Sequence, residues 1–215
     1  MKKIKKYSLD IKYINSSAKQ IIENLKDESL GVYLFLQNHW REVVVTEDVL
    51  FQFVFRSFYR MDNAGLSEDL KKQFFIFMEN NRMIEHPDIY TICLELYEIK
   101  NLKGQNSIQF SFVTKLANTI NPLLPIYDSN IALMYGYNNI TNKCYKEKIK
   151  NLTDFYQKMS CDYDFFIKNG DLETTLTVFD KKFPAFKDSI SVNKKLDFII
   201  WSAGKLHKLK RKSIQ

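Results

Sequence analysis

Apolar residues recur at helical spacing along most of the chain. The clearest run is 87 to 100, where Ile89, Ile92, Cys93, Leu96 and Tyr97 fall at i, i+3, i+4, i+7 and i+8 behind a first-turn Pro87. Ser17 to Asp27 puts Ile21, Ile22 and Leu25 on one side. Glu47 to Arg60, EDVLFQFVFRSFYR, opens on acidic residues and is apolar nearly all round, which predicts a buried central helix. The next helix begins at Ser67, with Glu68 and Asp69 in its first turn after the break at Gly65. NLKGQNS, 101 to 107, reads as a turn, and the helix after it runs to about Ile120, where Asn-Pro stops it. A further helix starts at Asp128 or Ser129, and 148 to 168, 171 to 180 and 189 to about 209 follow. REVVVT, 41 to 46, is the exception, a β-branched run that predicts a short extended piece.

With 6 Gly and 4 Pro in 215 residues there is little punctuation for many short strands. No repeat, low-complexity block or Gly/Ser/Pro-rich linker marks a boundary. The expectation is an all-α fold in a single unit, 1–215, with the 45% hydrophobic and 14% aromatic content supplying its core.

The amino terminus, MKKIKKYSLDIKYINSS, has lysines but no apolar run or small-residue cleavage site behind them, so no signal peptide is expected. No stretch reaches the roughly 18 uninterrupted apolar residues of a membrane span, and the expected location is the cytoplasm. Cys93, Cys144 and Cys161 match neither a disulfide framework nor a CxxC metal site, and His39, His86 and His207 are widely scattered. The cysteines are expected to be reduced and structural, and neither metal nor cofactor is expected.

The net charge of +7 gains meaning from where the lysines lie. One group is Lys2, Lys3, Lys5, Lys6 and Lys12; a second is Lys143, Lys146, Lys148 and Lys150; a third is Lys205, Lys208, Lys210, Arg211 and Lys212. Clustered cations neutralise phosphates and release counterions, so nucleic acid is the first partner to test. The alternative is that these are solvated, solubilising ends.

On the helix ending at Ile120, Phe112, Val113, Leu116, Ala117 and Ile120 share a face, and Ser111, Lys115, Asn118 and Thr119 lie opposite. Periodicity thus puts Lys115 on a polar face, where an ordinary exposed lysine sits. Asp128 follows Pro125 and precedes a helical pattern, which predicts an N-cap.

VTKLAN and LPIYDSNIALMYG, within 113 to 136, together resemble the segment of helix-hairpin-helix DNA glycosylases in which a hairpin helix carries a catalytic lysine and the next helix opens on an aspartate. FRSFYRMDNAGLSEDLKKQFFIFM, 55 to 78, and LDFIIWSAGKL, 196 to 206, are similar to segments of bacterial proteins with the 8-oxoguanine glycosylase fold, and the second also to the tail of the archaeal enzymes. The resemblance spans about 45 to 209. It implies a two-lobed helical fold with a central cleft, the two chain ends contributing to one lobe, and a monomer that binds DNA and is therefore nucleoid-associated. By residue, Lys115 matches the amine that attacks the sugar and Asp128 the carboxylate that assists it. The base pocket would include Trp201 and Tyr127, and nucleic acid would be held by Ser111, Thr114, Lys143, Lys146, Lys205 and Lys208. The chain departs from the family where L-P-G-V-G usually precedes the lysine, since it reads IQFSFVTK there. The interval from Lys115 to Asp128 is shorter than usual, and with three cysteines the iron–sulfur loop of the endonuclease III branch is missing.

In such enzymes the damaged nucleotide is flipped out and the amine attacks C1′ of the deoxyribose, forming a Schiff base. An ordinary lysine is neutral only about once in a few thousand molecules at pH 7, so Lys115 must be desolvated or lie near other cations. Three readings follow: a glycosylase with lyase activity on oxidised purines, a glycosylase-fold nucleic-acid-binding or regulatory protein without catalysis, and a helical protein-interaction module.

Overall fold

The computed structural model describes residues 7–138 and 143–212, the side chain of Lys212 excepted; Lys2, Lys3, Lys5 and Lys6 lie outside them. The described residues are all-helical, with no strand among them. In chain order the helices are α1 Ile11–Ser16, α2 Ala18–Glu23, α3 Asp27–Glu42, α4 Val49–Tyr59, α5 Glu68–Asn80, α6 Ile89–Tyr97, α7 Phe110–Ile120, α8 Ser129–Met134, α9 Tyr145–Asn169, α10 Glu173–Lys182 and α11 Val192–Lys212.

Short polar side chains start several of them. Asp10, Asp48, Ser67, Asp88 and Asp128 each accept a first-turn N–H, satisfying a donor that has no partner within the helix. Asp88 is the cap of α6, so Pro87 stands just outside the helix rather than in its first turn. Gly170, at φ 69°, closes α9 in the left-handed conformation that costs glycine least.

Three expectations are corrected. REVVVT is not a strand: α3 runs through Glu42, and the valines after it are pinned by side chains. Val45 N–H donates to Glu79 Oε2 at 2.9 Å, and Arg82 donates to the carbonyls of Trp40 and Val43 at 2.6 and 2.5 Å. A β-branched run with no second strand to pair with takes its hydrogen bonds where it finds them. Second, α3 is an additional sixteen-residue helix, burying Leu30, Tyr33, Leu36 and Trp40. Third, α4 is not buried all round: Phe51 and Phe55 face the core, while Val49, Leu50 and Phe53 are exposed.

One buried apolar cluster runs from Leu9 to Ala203. The two ends of the chain pack together, α1 and α2 lying on α10 and α2 on α11. Polar bonds fix this join: Ser202 donates to Ile21 O at 2.7 Å, and Lys182 Nζ to the carbonyls of Ile22, Glu23 and Leu25 at the end of α2.

The connection from α7 to α8 is laid along α11. Ser191 donates to Pro122 O at 3.2 Å, Asn193 to Leu123 O at 3.0 Å, and Ile126 N–H donates to Asp197 Oδ1 at 3.0 Å. Farther on, α8 crosses α11 against Gly204. With Ile126 anchored at Asp197 and Asn130 at Gly204, Asp128 is held beside the turns of α11 between them.

Candidate active site on α7 and α11

The polar side of α7 does not face water. Asn118 and Thr119 are buried, with Asn118 Nδ2 donating to Leu124 O at 2.6 Å and Thr119 Oγ1 to Lys115 O at 2.9 Å. Lys115 is half-buried between them and the chain outside. Its Nζ donates to Ser111 Oγ at 3.0 Å and lies 4.8 Å from the Phe112 ring centre and 5.5 Å from that of Tyr59 on α4. Burial pushes the amine down to about 8; the Asp128 carboxylate opposes this and the Lys194 cation adds to it. The exposed lysine that periodicity suggests is therefore replaced by a desolvated one, with the Phe112 ring and the Tyr59 ring of α4 beside its amine, while Lys194 of α11 and Leu124 of the α7–α8 connection cover Asn118 on the same side of the helix.

Asp128 is the expected N-cap. Its Oδ1 accepts the N–H groups of Asn130 and Ile131 at 2.7 and 3.0 Å. Lys115 and Asp128 interact through space, close enough for the carboxylate to stabilise the ammonium form, while each bonds to other groups.

Two functional candidates escaped the sequence reading, Lys194 and Asp197, both buried on the first turns of α11. Lys194 Nζ lies 3.3 Å from Asn118 Oδ1, 3.5 Å from Asp197 Oδ2, and 4.6 Å from the ring centre of Tyr33. Asp197 Oδ1 accepts from Ile126 N–H and from the Tyr163 hydroxyl, each at 3.0 Å. Burial lifts the Asp197 carboxyl to about 6 against the pull of Lys194 and these donors, and burial lowers the Lys194 amine. The i, i+3 spacing of a lysine and an aspartate was the available signal, but on a surface helix it describes an ordinary solvated pair.

The other expected site residues are dispersed. Thr114 is fully buried; its hydroxyl is bonded to Ser111 O and to the backbone of Tyr127, which removes it from any nucleic-acid surface. Tyr127 packs edge-on against Phe110, Tyr137 and Phe155 in an aromatic cluster, a core role rather than a stacking platform. Ser111 is taken by Lys115. Trp201 is half-buried on α11, with Lys205 Nζ 5.3 Å from its ring centre. Lys205, Lys208 and Arg211 line a groove of about 360 Å³ beside Leu133 of α8, and Lys208 Nζ donates to Ser129 Oγ at 3.1 Å, next to Asp128. Lys143 and Lys146 are exposed at the start of α9 and do not line that groove; Lys143 is 3.7 Å from Glu147.

Cys93 is buried and Cys144 and Cys161 are exposed, all as free thiols. Among the described residues no group of three or more His, Cys, Asp or Glu is placed to hold a metal, and no helix is long and apolar enough to cross a membrane. Comparison of the chain with protein-family models, with curated proteins and with solved structures finds no match.

Proposed function

We propose that this protein is a DNA glycosylase-like enzyme, a two-lobed helical monomer working in the cytoplasm on nucleoid DNA, with Lys115 as its nucleophile. The observation that carries the reading is the Lys115 amine, desolvated by Tyr59 and Phe112, lowered to about 8, and within electrostatic reach of Asp128. With that value about one molecule in ten holds a neutral amine at pH 7, a gain of a few hundredfold over an ordinary lysine. The Lys115 lone pair attacks C1′ of a flipped-out nucleotide; the N–C1′ bond forms as the C1′–base bond breaks, and the base departs with the bonding pair and takes up a proton. The new amine then loses its protons as the C1′–O4′ bond breaks and O4′ takes one up, which opens the sugar ring and leaves a C1′=N imine; loss of a C2′ proton from this imine expels the 3′ phosphate by β-elimination. Asp128 assists by stabilising positive charge as it develops on the sugar, while burial, not Asp128, supplies the neutral amine. The groove beside α8 is walled by Leu133, Leu209 and the aliphatic stems of Lys205, Lys208 and Arg211, and the cations that border it suit the phosphate backbone.

Borohydride trapping tests the reading. A covalent complex is expected with DNA bearing 8-oxoguanine or an abasic site, and none with Lys115→Gln; failure of the wild-type protein to trap on any such lesion sinks the lyase activity. The second reading, a nucleic-acid-binding protein of the same fold without catalysis, is favoured by the stretch IQFSFVTK before Lys115, which has none of the hairpin glycines that let a backbone approach a phosphate. In that case affinity falls steeply with salt and Lys115→Gln changes it little.

A further inference from the structure

Two residues of α11 grip both halves of the candidate site from behind. Asn118 lies one turn after Lys115 on α7, so its side chain is a neighbour of the lysine on the same side of the helix. Lys194 Nζ meets Asn118 Oδ1 at 3.3 Å. Ile126 lies two residues before Asp128 in a segment with no helical bonds of its own, and its N–H is held by Asp197 Oδ1 at 3.0 Å. Lys194 and Asp197 are themselves paired at 3.5 Å, and Tyr163 takes a share of the carboxylate. A buried pair of this kind adds little net stability over apolar residues of the same size, because both charges are desolvated. Its attachments instead define where two pieces of chain sit.

We infer that Lys194 and Asp197 are positioning residues of the Lys115–Asp128 site, Lys194 fixing α7 through Asn118 and Asp197 fixing the approach to Asp128 through the Ile126 N–H. The inference rests on the proposed role of Lys115 and Asp128. Lys194 has a second effect by virtue of its charge. The groups facing the Lys115 amine are Ser111 and Phe112 on its own helix, Tyr59 from α4, Asp128 at the start of α8 and Lys194 from α11, and Lys194 is the cation among them.

The test uses the double variant Lys194→Met/Asp197→Asn in the full chain, which removes both charges and keeps an acceptor for Ile126. Competitive acetylation with acetic anhydride, read at Lys115 by mass spectrometry across pH, follows the amine without any DNA. The wild-type midpoint is expected near 8. In the folded double variant it should move up by about half a unit or more, leaving roughly threefold less neutral amine at pH 7, and trapping on abasic DNA should fall about tenfold or more. Lys194→Arg, which keeps the cation, should restore most of the wild-type midpoint. An unchanged midpoint together with wild-type trapping in the folded double variant overturns the inference. The wild-type protein supplies a check that needs no variant: the Ile126 amide, outside any helix, should exchange with deuterium as slowly as core helical amides, and rapid exchange would also overturn it. Absence of trapping in the wild type defeats the glycosylase reading, whereas the labelling and exchange results still judge the clamp.

Discussion

Gly204 of α11 lies directly against the backbone of Asn130 in α8: a Cβ at 204 would stand 2.3 Å from Asn130 O and 2.7 Å from its carbonyl carbon. Only a residue without a side chain lets the two helices approach so closely, and the contact falls two residues after Asp128. Gly204→Ala must therefore push α8 outward, because the obstruction is backbone and no rotamer change relieves it. The expected cost is about 1–3 kcal/mol, the usual range for overpacking. Urea denaturation should show it, and Lys115 labelling should change in parallel as Asp128 moves with its helix; a variant as stable as the wild type would refute this packing.

The Lys194–Asp197 pair predicts a cycle of stabilities. Lys194→Met alone leaves a buried carboxylate without its cation and should cost about 3–5 kcal/mol at neutral pH. Adding Asp197→Asn should return most of that loss, since the charge is gone and the Ile126 N–H keeps an acceptor. The deficit of the single variant depends on pH with a definite sign. Asp197 has a folded pKa of about 6, raised above its ordinary value, so its charged form is the penalised one. Without Lys194 the carboxyl must titrate higher still; the deficit should be greatest above pH 6 and shrink as acid protonates Asp197. Equal deficits at pH 5 and pH 8 would contradict this account.

Lys115 makes the opposite kind of prediction, because holding a desolvated amine in its charged form costs stability. Its amine is lowered to about 8 in the folded state, so the unfolded chain binds the extra proton between that value and the ordinary lysine range. The folded protein thus carries a penalty that is fully present below about pH 8 and is relieved as pH rises toward 10.5. Lys115→Met, which keeps the stem and drops the charge, should be more stable than the wild type at pH 7, by about 1 kcal/mol or roughly 2–4 °C in Tm. That advantage should narrow between pH 8 and 10. A variant less stable than the wild type at pH 7 would mean that the Ser111 bond and the Asp128 charge outweigh the desolvation.

Much of the helical frame is legible in the sequence because its signals are local. Ser67 before Glu68 and Asp69, Asp128 before Ser129, and the stripe Ile89, Ile92, Cys93, Leu96 need no tertiary knowledge to read. α3 is harder to read although Leu30, Tyr33, Leu36 and Trp40 carry a stripe, because Asp27, where the preceding apolar pattern ends, is also the first residue of α3. The site is less legible. Periodicity sorts Lys115, Asn118 and Thr119 onto a polar side but cannot say that α11, some eighty positions later, arrives to bury that side. For the same reason Lys194 and Asp197 look like surface charges until α11 is packed. Thr114 and Tyr127 fail in the reverse direction: both carry polar groups suited to a ligand, and each is consumed by a neighbour in the core.

The basic groove between α8 and α11 makes a prediction about salt rather than about chemistry. Lys205, Lys208 and Arg211 share it, whereas Lys143 and Lys146 lie at the start of α9 beside Glu147. If DNA follows the groove toward Asp128, each cation that meets a phosphate contributes about 0.9 to the slope of log K against log salt. Lys205→Ala should lower the slope by about that amount and weaken binding to all sequences alike. Lys208→Ala should do the same and in addition free Ser129, one residue from Asp128. Lys146→Ala, outside the groove, should change the slope by less than either. Fluorescence anisotropy with a labelled duplex between about 50 and 200 mM salt, the range over which such contacts show, measures all three. Equal slopes for the Lys205, Lys208 and Lys146 variants would remove the groove as the path of the backbone, while leaving the Lys115 chemistry to be judged by trapping.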